Sequence, residues 1–369
     1  MQDNVSRKIT FLIDSLEERA GMERVTVTVA GGLASLGFDV EIVTLRGDTS
    51  SFPLHERVKL VSLGFAPGEL KMRSQTGPLM RAIRIHVRRR RPDVLVAVDT
   101  FLSLFAFPAL LGLRVRRVAW EHMNFHADFG MRSRRLARRV AAALGHDVAV
   151  LTGADAGYWR RAFPRMAARL HVMPNPLPFD PPADNPYSLE SRTALAVGRF
   201  HHAKGFNLLL EAWASVEPDF PEWSLKVIGS GNEHGDHDAL LRQLDRLNLQ
   251  RAVLAEPTAQ IEREYRAAGV YCLSSRHEGL PMVLMESQAY GVPAVAFDCP
   301  TGPADLLAPG GGLLVPPEDV AQFAAALRRV LADPALRGEL SERAYGGAHR
   351  YEAQTIFAQW TDLLRARQP

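Results

Sequence analysis

Short runs rich in Val, Ile and Leu recur along this chain, each followed by a stretch with helical spacing, and the alternation runs twice with a break between. Strands are expected at residues 8–14 (KITFLID), 39–44 (DVEIVT), 60–63, 94–98, 117–120, 147–151 and 170–173, with helices at 25–36, 80–89 and 132–144. Strands that are apolar throughout, rather than alternating, are buried on both faces, as in a parallel sheet covered by helices. At 174–191 (PNPLPFDPPADNPYSLES) six prolines fall within 13 residues, a composition that resists helix and sheet alike. The alternation then restarts, with strands at 193–197, 224–228, 251–254, 270–273, 294–298 and 312–315. Its helices are expected at 206–215, 238–247, 260–268, 282–290, 320–332 and 334–344. The fold class is therefore α/β, two Rossmann-like doubly wound domains facing a cleft. The domains are expected at 1–178 and 192–350, with a proline-rich linker at 179–191 and a last helix within 351–369 that can pack back on the first domain. A length of 369 residues also exceeds what one core usually serves.

Composition excludes several classes. Hydrophobic residues at 47% and charged residues at 23% belong to an ordinary globular chain. Cys272 and Cys299 lie in apolar runs outside any CxxC pattern, so buried reduced thiols are expected rather than a disulfide framework. Residues 1–10 lack an apolar signal core, and the longest apolar run, 101–113, is short and contains a proline. A cytoplasmic protein is expected. Charge is uneven, however: residues 1–178 hold 27 Lys and Arg against 16 Asp and Glu, a balance of +11, and the remainder balances at −8. The arginine runs at 88–91, 114–117 and 132–139 make the first half basic. Contact with an anionic membrane surface or an anionic acceptor is expected there, peripherally at the inner face of a membrane. Nucleic acid is not expected, because no aromatic-interleaved or zinc-bearing motif accompanies the charge.

The densest chemical signal is 274–291 (SSRHEGLPMVLMESQAYG), which follows a buried strand and opens a helix. Gly279 permits a tight turn, Pro281 suits a first helical turn and Gly291 suits the left-handed position after the helix. Such a helix start offers N–H groups and the positive dipole end to a phosphate. Glu278 precedes that terminus and Glu286 lies about two turns along, where a carboxylate can accept hydrogen bonds from a vicinal diol. Taken singly, both are ordinary solvated glutamates. A second loop, 198–205 (GRFHHAKG), also follows a strand and brings Arg199 and Lys204 between two glycines, a pair able to neutralise a diphosphate. A third, 15–24 with Gly21 before the first helix, looks like a phosphate-approach loop but does not fit GxGxxG. Gly31 and Gly32 fall within that helix, where close helix–sheet packing is expected.

Together these elements resemble the GT-B retaining glycosyltransferases, in particular glycosyltransferase family 4. Glu278 and Glu286 reproduce the E-x7-E motif in EGLPMVLME, Gly198-Arg199-Phe200 with Lys204-Gly205 the GR…KG element, and 20–25 (AGMERV) the N-terminal glycine turn, with Ala where a first Gly is usual. Gly229-Ser230-Gly231 matches the loop after the second strand of the nucleotide domain, and Pro174-Asn175 the entry to the linker. The resemblance spans nearly the whole chain. It implies that Arg199 and Lys204 bind the donor diphosphate, Glu286 the ribose and Glu278 the transferred sugar, helped by N–H groups of Gly279, Leu280, Pro281, Met282 and Val283. Gly21, Gly198 and Gly229 would line the nucleotide-sugar site. His122, in 120–126 (WEHMNFH), matches a histidine that touches the donor sugar or reacting centre; Glu121 and His126 are weaker candidates. One departure is Glu256-Pro257, where the family often has a glycine near the nucleobase.

The resemblance implies a retaining hexosyltransferase that moves a sugar from a nucleotide sugar, with uridine the commonest base, to an acceptor hydroxyl, the acceptor being unidentified. No cofactor or metal is expected. Asp236-His237-Asp238 has a DxD form, but in a polar loop before a helix it reads as capping or solvation. Assembly of surface polysaccharide or lipid-linked glycan is favoured, and natural-product glycosylation, UDP-sugar epimerisation and a noncatalytic sensor remain as alternatives.

Overall fold

A computed structural model describes residues 7–66, 68, 72–128, 130–231 and 235–366. Readings that fall on residues 1–6, on 232–234 before the DxD segment, and on 367–369 within the span expected for the last helix lie outside the described residues. The chain divides into two units, Met1–Pro178 with Ala353–Pro369, and Phe179–Glu352.

The first unit runs β1 (Lys8–Ile13), α1 (Gly21–Ser35), β2 (Asp39–Thr44), β3 (Lys59–Ser62), α2 (Met72–Arg90), β4 (Val94–Val98), α3 (Ser103–Ala109), β5 (Arg116–Trp120), α4 (Arg132–Leu144), β6 (Asp147–Val150), α5 (Gly153–Ala162) and β7 (Arg169–Val172). Its strands form one sheet in the order β3-β2-β1-β4-β5-β6-β7, all parallel. The second unit runs β8 (Thr193–Val197), α6 (Phe206–Val216), β9 (Ser224–Ile228), α7 (Asp236–Arg246), β10 (Ala252–Ala255), α8 (Ile261–Ala267), β11 (Ala268–Leu273), α9 (Met282–Ala289), β12 (Ala294–Phe297), α10 (Pro303–Leu307), β13 (Gly312–Val315), α11 (Val320–Ala332) and α12 (Pro334–Ala348), before the final α13 (Ala353–Arg365). Its parallel sheet has the order β10-β9-β8-β11-β12-β13. Both orders reverse direction beside the first strand of the unit, between β1 and β4 and between β8 and β11. Loops leaving the carboxyl ends of such a pair diverge, and ligands of open α/β sheets bind in that crevice.

Each unit has its own apolar core. The opposite face of the first sheet is covered from far along the chain, since Trp360 of α13 packs edge-on against Trp120 of β5 at 4.7 Å and against Phe11 of β1 at 6.2 Å. Arg116 fixes the end of that helix: its guanidinium donates to the carbonyls of Leu363 and Ala366 at 2.6 and 3.0 Å and to Asp147 Oδ2 at 2.6 Å. A helix C-terminus leaves carbonyls without partners, and a cation there satisfies them and complements the dipole.

Several local readings change. The first helix begins at Gly21, not Val25, so the expected turn ends on the helix itself. Gly32 faces a helix rather than the sheet: a Cβ there would stand 2.2 Å from the Phe357 ring of α13. Helices α3, α5 and α10 are absent from the periodicity reading because each is ten residues or shorter and follows closely on a strand. The arginine runs are not uniformly surface. Arg116 and Arg138 are 1% and 3% exposed, and Arg90 pairs with Asp39 and Glu41. A charge run on a helix cannot face solvent at every position, because the period of 3.6 turns some of its members inward.

Candidate active site

The two loops singled out in the second half leave adjacent strands at the point where the sheet order reverses. The loop 198–205 follows β8 and the loop 274–281 follows β11, so chain segments some 70 residues apart meet. Backbone contacts stitch them together. Arg276 N–H donates to Ala203 O at 2.8 Å, Ser274 Oγ to Lys204 O at 2.9 Å, and the Arg276 guanidinium to His202 O at 2.7 Å. Gly205 sits where they cross: its φ is +63°, and a Cβ would stand 2.0 Å from Ser274 O. Gly229, at the carboxyl end of β9, is excluded from any larger side chain by Gly198 O, also 2.0 Å from a Cβ position.

This crossing joins Lys204 to Glu278. Lys204 Nζ donates to Glu278 Oε1 at 2.8 Å, and Ser275 Oγ donates to the same oxygen at 2.6 Å. Thr301 Oγ1 holds the Glu278 carbonyl at 2.7 Å. The Glu278 side chain is 9% exposed, that of Lys204 25%. Arg199 is exposed, and its side chain has no hydrogen-bond or ion-pair partner among the described residues. The arrangement therefore pairs one cation with Glu278 and leaves the other exposed in the same loop.

Helix α9 opens just beyond Glu278. Pro281 is its cap rather than a first-turn residue, accepting from Leu284 and Met285 N–H at 3.1 Å. Having no N–H, Pro281 cannot be among the expected donors, which leaves Gly279, Leu280, Met282 and Val283 as the residues of that stretch that carry one. Glu286, 3% exposed, lies inward on α9, where Tyr265 of α8 donates to its Oε2 at 2.8 Å. Sequence reasoning missed Tyr265, Ser275 and Thr301, since a tyrosine on a short helix and two hydroxyls in loops carry no pattern of their own. Asp236 and Asp238 occupy the first turn of α7, whose cap is Gly235 with no side-chain cap bond; they complement the helix dipole rather than cap it. Among the described residues no group of three His, Cys, Asp or Glu side chains could hold a metal. Cys272 and Cys299 are buried and unpaired, and burial pushes the Cys299 thiol up to about 12.

In the first unit the carboxyl ends of β4, β5 and β6 gather a polar cluster around His122. The imidazole packs on Trp120 at 4.4 Å, and its Nε2 is shielded from solvent with no hydrogen-bond partner among the described residues. Burial pushes its pKa down to about 3, so the ring is neutral. Glu121 beside it pairs with Arg138 at 3.1 Å, yet burial, with the charges of Asp99 and Asp155, raises its carboxyl to about 7. Asp99 adopts φ +67° at the end of β4 and pairs with Arg134 at 3.1 Å. Residues in that region of backbone space other than glycine are strained and gather at functional sites. His126 is exposed and packs edge-on against Tyr158 at 4.5 Å, outside this cluster. Gly21 has open space about its Cα at the start of α1.

Comparison with known proteins places both halves of the chain. Residues 182–346 match the family model described as glycosyl transferases group 1, and residues 19–180 that of glycosyltransferase family 4. The amylovoran biosynthesis glycosyltransferase AmsD of Erwinia amylovora is 29% identical, over 97% of this chain and 99% of that protein. An undecaprenol-diphosphate-glycan α-1,4-N-acetylgalactosaminyltransferase of Campylobacter jejuni is 27% identical over 97% and 98%. Among solved structures, HepE of Anabaena in complex with UDP superimposes with a TM-score of 0.80 at 18% identity, over 97% of this chain and 99% of that one.

Proposed function

Since the chain belongs to the group 1, family 4 glycosyltransferases, we propose that it transfers a hexosyl group from a UDP-sugar to an acceptor hydroxyl with retained configuration, in assembly of a surface polysaccharide or lipid-linked glycan. The observation that carries the reading is the Lys204–Glu278 pair at the point where the second sheet reverses, beside the start of α9. The relatives named for amylovoran and for an undecaprenol-linked glycan support the acceptor class, and the UDP seen in HepE supports the base.

In this reading Arg199, Lys204 and the N–H groups at 279, 280, 282 and 283 hold the diphosphate. As the bond from C1 to the diphosphate oxygen breaks, negative charge gathers on the leaving group, where fixed donors stabilise it most. The acceptor oxygen bonds to C1 on the same face, and its proton passes to the departing phosphate oxygen. No side chain serves as a covalent nucleophile. Glu278 accepts from hydroxyls of the transferred sugar, and Glu286, oriented by Tyr265, from the ribose diol. Neutral His122 offers Nε2 to a sugar hydroxyl, relieving a buried polar atom that otherwise costs about 1–3 kcal/mol.

The test compares thermal stabilisation by UDP, GDP and ADP, because a ligand that binds only the folded state raises the Tm. UDP should raise it most, and Lys204→Ala should remove most of the gain. Preference for GDP or ADP overturns the base assignment; full stabilisation of Lys204→Ala overturns the site.

A further inference from the structure

Helix α4 carries five arginines within 132–139, and the fold sorts them into two sets. Arg134 and Arg138 turn inward and pair with Asp99 and Glu121 at the ends of β4 and β5. Arg132, Arg135 and Arg139 are exposed; among the described residues, of these only Arg135 meets a carboxylate, Asp128 at 2.8 Å. Between the outer arginines lies Leu136, 48% exposed, with Met131, 42% exposed, just before the helix. Positions 132, 136, 139 and 143 fall on one stripe of a 3.6-residue period. The stripe continues into an open groove of about 620 Å³ lined by Arg139, Ala142, Ala143, Phe163, Pro164 and Arg165, among others. Arg165 is exposed and unpaired among the described residues.

We propose that this outer face of α4, with the groove beside it, is a docking surface for an anionic lipid bilayer. The surface extends the proposed function and rests on its reading of a lipid-linked or surface-glycan acceptor. Arginines interleaved with exposed Leu and Met suit an interface where guanidinium groups meet lipid phosphates and the apolar side chains enter the acyl boundary. A nucleic acid would satisfy the cations but leave Leu136 and Met131 without an apolar partner, and one half-buried aromatic, Phe163 in the groove, is no platform for successive bases. The concentration of positive charge in residues 1–178, +11 against −8 in the rest, points the same way. Because the inner arginines of the same helix brace Asp99 and Glu121, the docking face and the polar cluster share one rigid element.

The experiment is flotation of the full chain, without sugar donor, on phosphatidylcholine vesicles and on equal mixtures of phosphatidylcholine and phosphatidylglycerol. The chain should float with the anionic vesicles alone, less as salt rises. Each arginine removed near the surface should lower partition about fivefold, so Arg132→Glu with Arg139→Glu should lower it more than about 25-fold, and Leu136→Glu should also weaken it. Arg88→Glu with Arg89→Glu, on exposed positions of α2, should bind as the unaltered chain does. The proposal is overturned by equal flotation on neutral vesicles, by no flotation on anionic ones, by full retention in the α4 variant, or by an equal loss in the α2 variant. Tighter binding to duplex DNA or to an acidic polypeptide than to anionic vesicles also overturns it. UDP stabilisation, measured separately, should be equal in all these variants, so a failure of the donor reading and a failure of the docking surface give different results.

Discussion

Tyr265 donates its phenolic hydrogen to Glu286 Oε2 at 2.8 Å, and both side chains are buried, at 0% and 3% exposure. The two residues lie 21 positions apart on different helices, α8 and α9, joined through β11. A buried carboxylate held by a tyrosine has a set plane, which a ribose diol needs in order to meet it in two hydrogen bonds.

Tyr265→Phe removes that donor while keeping the ring, which stacks on Tyr290 at 5.7 Å. The fold should lose about 1–3 kcal/mol, and UDP affinity should fall several-fold while the turnover number at saturating donor changes little. Titration calorimetry with UDP checks this. A variant with unaltered affinity would show that Tyr265 only supports packing.

Gly205→Ala should damage the donor loop more than its single methyl implies. The backbone there is left-handed at φ +63°, and the new carbon would enter the space of Ser274 O. A cost above about 1 kcal/mol is expected, together with loss of the Lys204–Glu278 contact. Far-ultraviolet circular dichroism should stay native while UDP no longer raises the Tm; normal UDP stabilisation would contradict the crossing as described.

His122 and Glu121 should impose opposite pH dependences on stability. The folded pKa of His122 is depressed from 6.5 to about 3, so its contribution is present above 6.5 and lost as pH falls toward 3. That of Glu121 is raised from 4.5 to about 7, so its contribution is present below 4.5 and lost as pH rises through 7. Between pH 5 and 6.5 the slopes oppose. Relative to the unaltered chain, His122→Gln should lose stability more steeply as pH rises through this window, and Glu121→Gln should gain it. Urea midpoints at pH 5, 6 and 7 decide, and unchanged slopes in both variants would refute the assignments.

Arg116→Met strips a buried carboxylate and the end of α13 of their cation at once. Asp147, 0% exposed, keeps Arg169 and His171 at 3.0 and 2.8 Å but loses its buried partner. Removing one member of a buried pair costs about 3–5 kcal/mol, and adding Asp147→Asn should recover part of that. Chemical denaturation measures both; a loss below about 1 kcal/mol would mean that the pair and the helix-end contacts contribute little.

The strands, the longer helices and the glycine-bounded loops after β8 and β11 were legible in the sequence because each is a local pattern, whereas the short helices α3, α5 and α10 were not. A parallel strand is apolar wherever it lies, and a helix start needs its turn residues whatever it packs against. Arg199, Lys204, Glu278 and Glu286 stood out in this way, from their place after a strand or on a helix. Partners across the sheet could not be read so. Lys204 meets Glu278 because the strand order brings their loops side by side, while Tyr265 meets Glu286, and Arg116 the end of α13, only through the packing of helices. Likewise the arginines of α4 look alike in sequence, and only the fold separates Arg134 and Arg138, which pair with the half-buried Asp99 and the buried Glu121, from Arg132 and Arg139, which face solvent. Sequence by itself determined most of the elements and which loops after a strand carry the glycines, cations and carboxylates. Tertiary structure decided which charges are buried, because burial and pairing depend on neighbours distant in the chain, and these set the cost of every charge.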